Sequence, residues 1–338
     1  MVKFYAGLVI SFFILVIINI LWGVLNLSLW ITNGLQVLLQ GMNFVEGVYF
    51  SIFLKWIILA DVCWLGLALV FALKRKRYKT GPQYYLKYNP IVNPIISVII
   101  PTLNEEKNVE KVVNDYKMQK YVKYVFVIDN HSTDKTADIA ERCGAKVIRK
   151  KMNTGMADSC IMGFNESLKT DANIVTLTEC DGTLNGYDIK KMIPYLDNCD
   201  VVIGTRIIQV LTEKGNQNGM FNTWGNFFIG KLLQLKYFSL LHMGITPITD
   251  IGCTHRSIRR DALEKMIEDI KEYYKNNKDK DGWMLVPYLT MHAIESDLKT
   301  IEIPITFQKR LGSSKSGANK KSKGIILGLR MIWLILMS

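Results

Sequence analysis

The chain has 338 residues, 49% of them hydrophobic, and a formal net charge of +12. That length suits one large domain or two small ones with a sizeable core, and the basic balance favours anionic partners: nucleic acid, nucleotide phosphates or an anionic membrane face. Six cysteines without a C-x-x-C spacing and four scattered histidines argue against a zinc site and against a disulfide framework.

The first predicted element is apolar. Phe4 to Trp30 carries no charge and is long enough to span a bilayer, and too long for a signal peptide. A second apolar stretch, Val48 to Leu73, contains Lys55 and Asp61. Lys55 lies near one end and can snorkel, and Asp61 is expected to face the partner helix. The basic run Lys74-Arg75-Lys76-Arg77 comes at once after it, Lys3 precedes the first stretch, and Ile31 to Gly47 has no Lys or Arg. The positive-inside rule then predicts a transmembrane helical hairpin over 1–77 with both ends, and the whole chain beyond Arg77, in the cytoplasm. Residues 78–94, with Gly81, Pro82, Pro90 and Pro94 among tyrosines, read as a juxtamembrane linker.

From Ile95 the pattern becomes that of an α/β domain, expected over 95–323. Short apolar runs, "IISVIIP", "VKYVFVID", "AKVIRK", "NIVTLTECD" and "DVVIGTR", alternate with helical patterns over Glu105 to Gln119, Thr133 to Cys143, Ala157 to Leu168 and Gly186 to Leu196. Strands without polar alternation between amphipathic helices predict a mostly parallel, doubly wound sheet covered on both faces. Its ligands should bind at the carboxyl ends of the strands. A helical pattern over "TWGNFFIGKLLQL" is read as core, or as one wall of a lipid groove. The final "GIILGLRMIWLILMS", 324–338, is short for a span and holds Arg330, so an interfacial helix is expected.

The strand ends carry acidic and polar side chains: Glu105 after the first, Asp129 and Asp134 after the second, Glu179 and Asp181 after the fourth. Like charges gathered on one edge require a compensating cation. Carboxylate oxygens suit Mg2+ or Mn2+, carried with a nucleotide diphosphate. Neither G-x-G-x-x-G nor a Walker A motif occurs, which counts against a dinucleotide dehydrogenase and a P-loop NTPase.

Five segments, "SVIIPTLNEEKNV", "VFVIDNHSTDKT", "NTGMADSCIMGF", "TECDGT" and "EIPITFQKRLGSSKSG", resemble in order the landmarks of family 2 glycosyltransferases. The likeness is greatest to the polyprenyl-phosphate glycosyltransferases, which include dolichyl-phosphate mannose synthase. The resemblance implies a GT-A fold and inverting transfer of a sugar from a UDP- or GDP-sugar donor. It implies that Pro101, Leu103 and Glu105 wall the nucleoside pocket and that Asp129 accepts a hydrogen bond from the base. Glu179 and Asp181 fall on the family's D-x-D metal motif, with Glu in place of the first Asp and Thr183 where Gln often stands. Asp250 becomes the acidic residue near the reacting centre, and Arg206 and Arg256 become candidate phosphate contacts. Gly312, Ser314 and Lys315 match the family's R-x-x-G-x-S-K segment, expected to close over the diphosphate. Its Arg falls on Lys309, with Arg310 one place later.

A polyprenyl phosphate acceptor is already anionic and needs no strong base, whereas a sugar hydroxyl of a glycolipid or polysaccharide would need one, for which Asp250 is the candidate. A sugar nucleotidyltransferase should be Gly-rich and basic after the first strand, where this chain has "TLNEE". A non-catalytic membrane scaffold would not need acidic groups at three strand ends. No aromatic-basic motif points to nucleic acid.

Overall fold

The computed structural model describes residues 2–40, 59, 62, 66, 88–207, 212–214, 219–237, 248–277, 282–311 and 321–337. Two compact units emerge, residues 1–77 with 336–338, and residues 78–335.

The first unit contains helix α1, Val2–Gln40. Among its described side chains Ile14, Ile17, Ile20, Leu21 and Val24 are exposed. Its polar side chains bond back along the helix: Asn19 Nδ2 to the carbonyl of Leu15 at 3.0 Å, Ser28 Oγ to that of Val24 at 2.8 Å and Thr32 Oγ1 to that of Ser28 at 2.8 Å. Among the described residues no helix is long and apolar enough to cross a membrane. Lys55, Asp61, the basic run and the linker up to residue 87 lie outside the described residues, so the hairpin is not established.

The second unit is built on a seven-stranded sheet: β1 (Ile96–Thr102), β2 (Val122–Asp129), β3 (Lys146–Arg149), β4 (Ile174–Leu177), β5 (Val201–Thr205), β6 (Arg256–Arg259) and β7 (Thr300–Pro304). The spatial order is β3-β2-β1-β4-β6-β5-β7. β6 runs antiparallel to both neighbours and the remaining pairs are parallel. The expectation of a mostly parallel α/β sheet is met, with one reversal that the sequence pattern did not show.

Helices α2 (Val109–Lys117), α3 (Thr136–Arg142), α4 (Met156–Leu168) and α5 (Asp188–Met192) come after the first four strands in turn. α5 is shorter than its apolar pattern suggests, because Pro194 sits at the start of a 3-10 turn, Ile193–Asp197. Then come α6 (Met220–Lys236), α7 (Arg260–Asn277), α8 (Leu285–Glu295) and α9 (Lys321–Met337).

The core strands are apolar along their length because both faces are covered. Ile96, Val98, Ile99 and Ile100 of β1 are wholly buried, each contributing about 1.5–3 kcal/mol relative to exposure. α4 lies so close to β1 that a Cβ at Gly163 would sit 2.2 Å from Ile99 Cγ2. Only hydrogen fits there, and the contact sets where the amino end of α4 meets the sheet edge.

Candidate active site

Parallel strands bring their carboxyl ends to one edge. Thr102 and Asp129 are register partners at the ends of β1 and β2, and β4 leads directly into Thr178–Thr183. The reversed β6 delivers the chain that precedes it, Asp250 to His255, to that same edge. A cleft of about 300 Å³ opens there, lined by Pro101, Leu103, Glu105, Glu179, Asp181 and Arg310 among others.

Of the two acidic groups of the "TECDGT" turn, Asp181 is buried and Glu179 is partly buried. Thr183 donates to Asp181 Oδ1 twice, from its backbone N–H at 3.0 Å and from Oγ1 at 2.6 Å. The turn itself needs Gly182, whose φ is +74°. Asp181 Oδ2 points the other way and pairs with the Arg310 guanidinium, which also lies 3.9 Å from Glu179 Oε2. Thr254 Oγ1, just before β6, donates to Glu179 Oε1. Burial, then the charge of Asp181, pushes the Glu179 carboxyl up from its ordinary value to about 7.

The other predicted positions separate into three groups. Pro101, Leu103 and Glu105 form one wall of the cleft, with Glu105 Oε2 accepting from Asn108 Nδ2 at 2.6 Å. Asp129 lies just behind that wall. It is buried at the end of β2, and its two oxygens share the Ser132 N–H at 3.3 Å, while its neighbour Asn130 lines the cleft. Asn130 is held by Asn153 Oδ1 at 2.7 Å.

Arg206 and Asp250 form a second centre. Arg206 Nε and Nη2 donate to Asp250 Oδ2 and Oδ1 at 2.7 and 2.8 Å, and the Arg206 backbone N–H adds a third bond at 3.1 Å. Burial works against the Arg206 charge, but Asp250 outweighs it and holds the guanidinium above its ordinary pKa. Asp250 is fully buried, with both oxygens engaged, so it is not presented as a free base. Glu302 on β7 anchors its loop by accepting from the Thr249 N–H at 2.9 Å, Thr249 Oγ1 at 2.6 Å and the Asp250 N–H at 2.7 Å.

Arg256 stands apart. It is 1% exposed within β6, bonded to the Cys253 carbonyl at 2.7 Å and to Thr290 Oγ1 at 3.3 Å, and burial lowers its pKa to about 10. The structure does not bring it to the cleft, because a β-strand residue facing the core cannot also face the rim. Between the two cationic candidates at 309 and 310, Arg310 meets the carboxylates while Lys309 is exposed. Gly312, Ser314 and Lys315 lie outside the described residues.

A second groove of about 340 Å³ runs between α6 and α9, lined by Phe228, Ile229, Ile325 and Leu329, with Arg206 at its polar end. Glu179, Trp283 and Arg310 border both cavities.

The family described as glycosyl transferase family 2 matches residues 97–267, half of the chain, and those residues carry six of the seven strands together with the acidic turn. The chain belongs to glycosyl transferase family 2. Among relatives of this glycosyltransferase is the polyprenol monophosphomannose synthase of Mycolicibacterium smegmatis, 27% identical over 227 residues that cover 64% of this chain and 80% of the relative. The dolichyl-phosphate hexose transferase of Haloferax volcanii is 25% identical over 216 residues, covering 63% and 83%. Glucosyl-3-phosphoglycerate synthase of Mycobacterium tuberculosis, solved with Mn2+, uridine diphosphate and phosphoglyceric acid, has the same fold at TM-score 0.50 and 14% identity, covering 72% and 78% of the two chains.

Among the described residues of the glycosyltransferase no cluster of three or more His, Cys, Asp or Glu could by itself hold a metal. A pair of carboxylates still suits Mg2+ or Mn2+, which complete their shells with substrate phosphates and water. The fit rests on Asp181 Oδ2, a buried oxygen that receives no hydrogen bond and is met only by a positive charge. Trp283 escaped the sequence reading, since a Gly-Trp pair inside the polar stretch "NNKDKDGW" has no periodic signal. Thr254 escaped it too, because its role depends on a β6 that the sequence reading did not find.

Proposed function

We propose that this glycosyltransferase moves a sugar from a UDP- or GDP-linked donor to a polyprenyl phosphate at a membrane surface, inverting the anomeric centre. The observation that carries the reading is the pair of joined cavities: an acidic cleft with a nucleoside-sized wall, and an apolar groove with a cationic end, sharing Glu179, Trp283 and Arg310. The first suits a metal-bound nucleotide sugar. The second suits an isoprenoid chain with its phosphate toward Arg206.

Glu179 and Asp181 would hold a divalent ion, whose part when bound is to neutralise the departing nucleotide diphosphate. Pro101, Leu103 and Glu105 hold the nucleoside, with Asp129 behind them. Arg206, fixed by Asp250, aims its charge at the acceptor phosphate, whose oxygen attacks the anomeric carbon from the face opposite the leaving group. Such an acceptor is anionic at neutral pH, so positioning and charge neutralisation replace a general base. The engagement of both Asp250 oxygens by Arg206 favours this acceptor over a sugar hydroxyl.

The hairpin and a cytoplasmic catalytic domain belong to the same proposal. Back-bonded Asn19, Ser28 and Thr32 in α1 satisfy their donors inside the helix, as a lipid environment demands. The exposed apolar face of α9, with Ile325, Leu329 and Trp333, suits an interfacial helix.

The test is incubation of the purified full chain with Mn2+, polyprenyl phosphate and a panel of labelled nucleotide sugars. The expected product is a lipid-soluble, mild-acid-labile phosphosugar. Label that enters only acid-stable glycolipid would overturn the phosphate acceptor, and no nucleotide-dependent thermal shift with UDP or GDP would overturn the donor site.

A further inference from the structure

Arg310 stands where a cation has to bind. Its guanidinium pairs with Asp181 Oδ2 and lies 3.9 Å from Glu179 Oε2. Yet Asp181 Oδ2 accepts no hydrogen bond, and the buried Arg310 Nε donates none. The guanidinium meets Asp181 through Nη2 while its Nε stays unpartnered, so the contact is one-pronged. The backbone around it is firmly attached to the acidic turn. Leu311 N–H donates to the Asp181 carbonyl at 3.2 Å, Gln308 N–H to the Thr183 carbonyl at 2.8 Å, and Asn108 Nδ2 to the Leu311 carbonyl at 2.8 Å. The side chain of Arg310 can therefore leave the carboxylates without any of these bonds breaking.

We propose that Arg310 is an internal counter-cation which a divalent metal must displace, so that the metal binds well only together with a nucleotide diphosphate. The inference rests on the reading of the cleft as a metal–nucleotide site. A guanidinium and a divalent ion cannot share one carboxylate oxygen, since their charges repel at that range. Without the metal, Arg310 neutralises Asp181 and keeps the site intact. A diphosphate offers the released guanidinium a planar, bidentate anionic partner. Arg310 borders both cavities, so a short swing keeps it on their shared wall. Metal and nucleotide then reinforce one another through one side chain, and Arg310 sets the order of assembly.

The experiment measures Mn2+ binding to the detergent-solubilised full chain by calorimetry and by the spin-resonance signal of free Mn2+, with and without UDP or GDP. Arg310→Gln should bind Mn2+ alone at least about tenfold tighter than wild type, within the usual span of site-to-site coupling. The gain in Mn2+ affinity that the nucleotide gives wild type should shrink correspondingly. Arg310→Lys, which keeps the charge, should stay near wild type. So should Lys309→Gln, which removes an exposed charge one residue away. Should Arg310→Gln melt early, Mn2+ alone should restore its melting temperature while leaving that of wild type unmoved. Equal Mn2+ affinity in wild type and Arg310→Gln, an equal gain from Lys309→Gln, or no restoration by Mn2+ of an early-melting variant overturns the proposal. Absence of Mn2+ binding in every protein, with either nucleotide, overturns the metal–nucleotide reading as well.

Discussion

Replacing Glu302 by Gln should shift stability in the variant's favour as the pH rises from 5 to 8. Glu302 lies on β7 behind Asp250, and burial pushes its carboxyl up from 4.5 to about 7, against the pull of its three donors. An acid whose pKa is raised by folding holds its proton in the folded state after the unfolded chain has lost it. Its contribution is fully present below about pH 4.5 and is lost as the pH rises through about 7. A displacement of that size, at about 1.4 kcal/mol per pH unit, amounts to roughly 3 kcal/mol. Glu302→Gln removes the charge at every pH; its amide oxygen can keep the two Thr249 bonds, while its NH2 replaces the acceptor of the Asp250 N–H, a loss that does not vary with pH. In a domain of this size each kcal/mol moves the melting temperature by about 2–4 °C, so the variant should gain up to about 6–12 °C on wild type between pH 5 and pH 8. The assay is a thermal melt of the full chain in detergent from pH 5 to pH 8, side by side with wild type. Glu179 is raised in the same direction and remains in both proteins, so only the difference between the two curves is diagnostic. A difference that stays constant across that range would refute the reasoning: the three hydrogen bonds would then hold the carboxylate ionised throughout.

Asp181→Asn should reduce transfer by at least about 10²-fold while the melting temperature stays within a few degrees, since the Thr183 bonds survive in an amide; turnover at the wild-type rate would remove Asp181 from the metal site. Gly163→Ala should destabilise by about 1–2 kcal/mol in denaturant titration, because overpacking against Ile99 outweighs the helix propensity gained. Combined with Ile99→Ala it should cost less than the sum of the two single changes, and strict additivity would show that α4 and β1 part freely. Trp283→Ala should raise KM for both donor and acceptor, because its ring borders both cavities. An effect on one substrate alone would argue that the cavities are separate.

Much of the sheet was legible because buried parallel strands are written as unbroken apolar runs. "VKYVFVID" is β2 to the residue, and "DVVIGTR" overlaps β5 closely. β6 was not legible. Its four residues, Arg256-Ser257-Ile258-Arg259, look like a polar turn, yet the first three are buried. The cost of burying Arg256 is met by a carbonyl and a hydroxyl that lie near it only in the folded chain. The acidic rim could be read from the rule that ligands gather at strand ends. The Arg206–Asp250 pair could not, since its partners are 44 residues apart and meet only because β6 reverses. The fourth strand was read too long: it ends at Leu177, and the acidic residues belong to the loop, where Gly182 can turn the chain.

That reversal also explains how so many charges fit into one rim. Six strands running the same way deliver to it only the loops that leave their carboxyl ends, and those after β1, β2 and β4 are acidic. β6 delivers the loop that enters it, and so brings Thr254 to Glu179 and Asp250 to Arg206. Around the "TECDGT" turn the result is two acid–arginine pairs, Asp181 with Arg310 and Asp250 with Arg206, with Glu179 between them and without an arginine of its own. An acid taken out of water without a full cationic partner responds by holding its proton, and burial with the nearby charge of Asp181 raises the Glu179 pKa to about 7. The acid without an arginine of its own and the one-pronged Arg310 contact are therefore two faces of one condition: Glu179, Asp181 and Asp250, when ionised, carry one negative charge more than Arg206 and Arg310 can neutralise. On the proposed reading a divalent ion would supply the missing charge with one to spare, and a diphosphate would take up the surplus along with the displaced guanidinium. A metal and a phosphorylated donor arriving together would leave Glu179, Asp181 and Arg310 each with a partner, which neither would do alone.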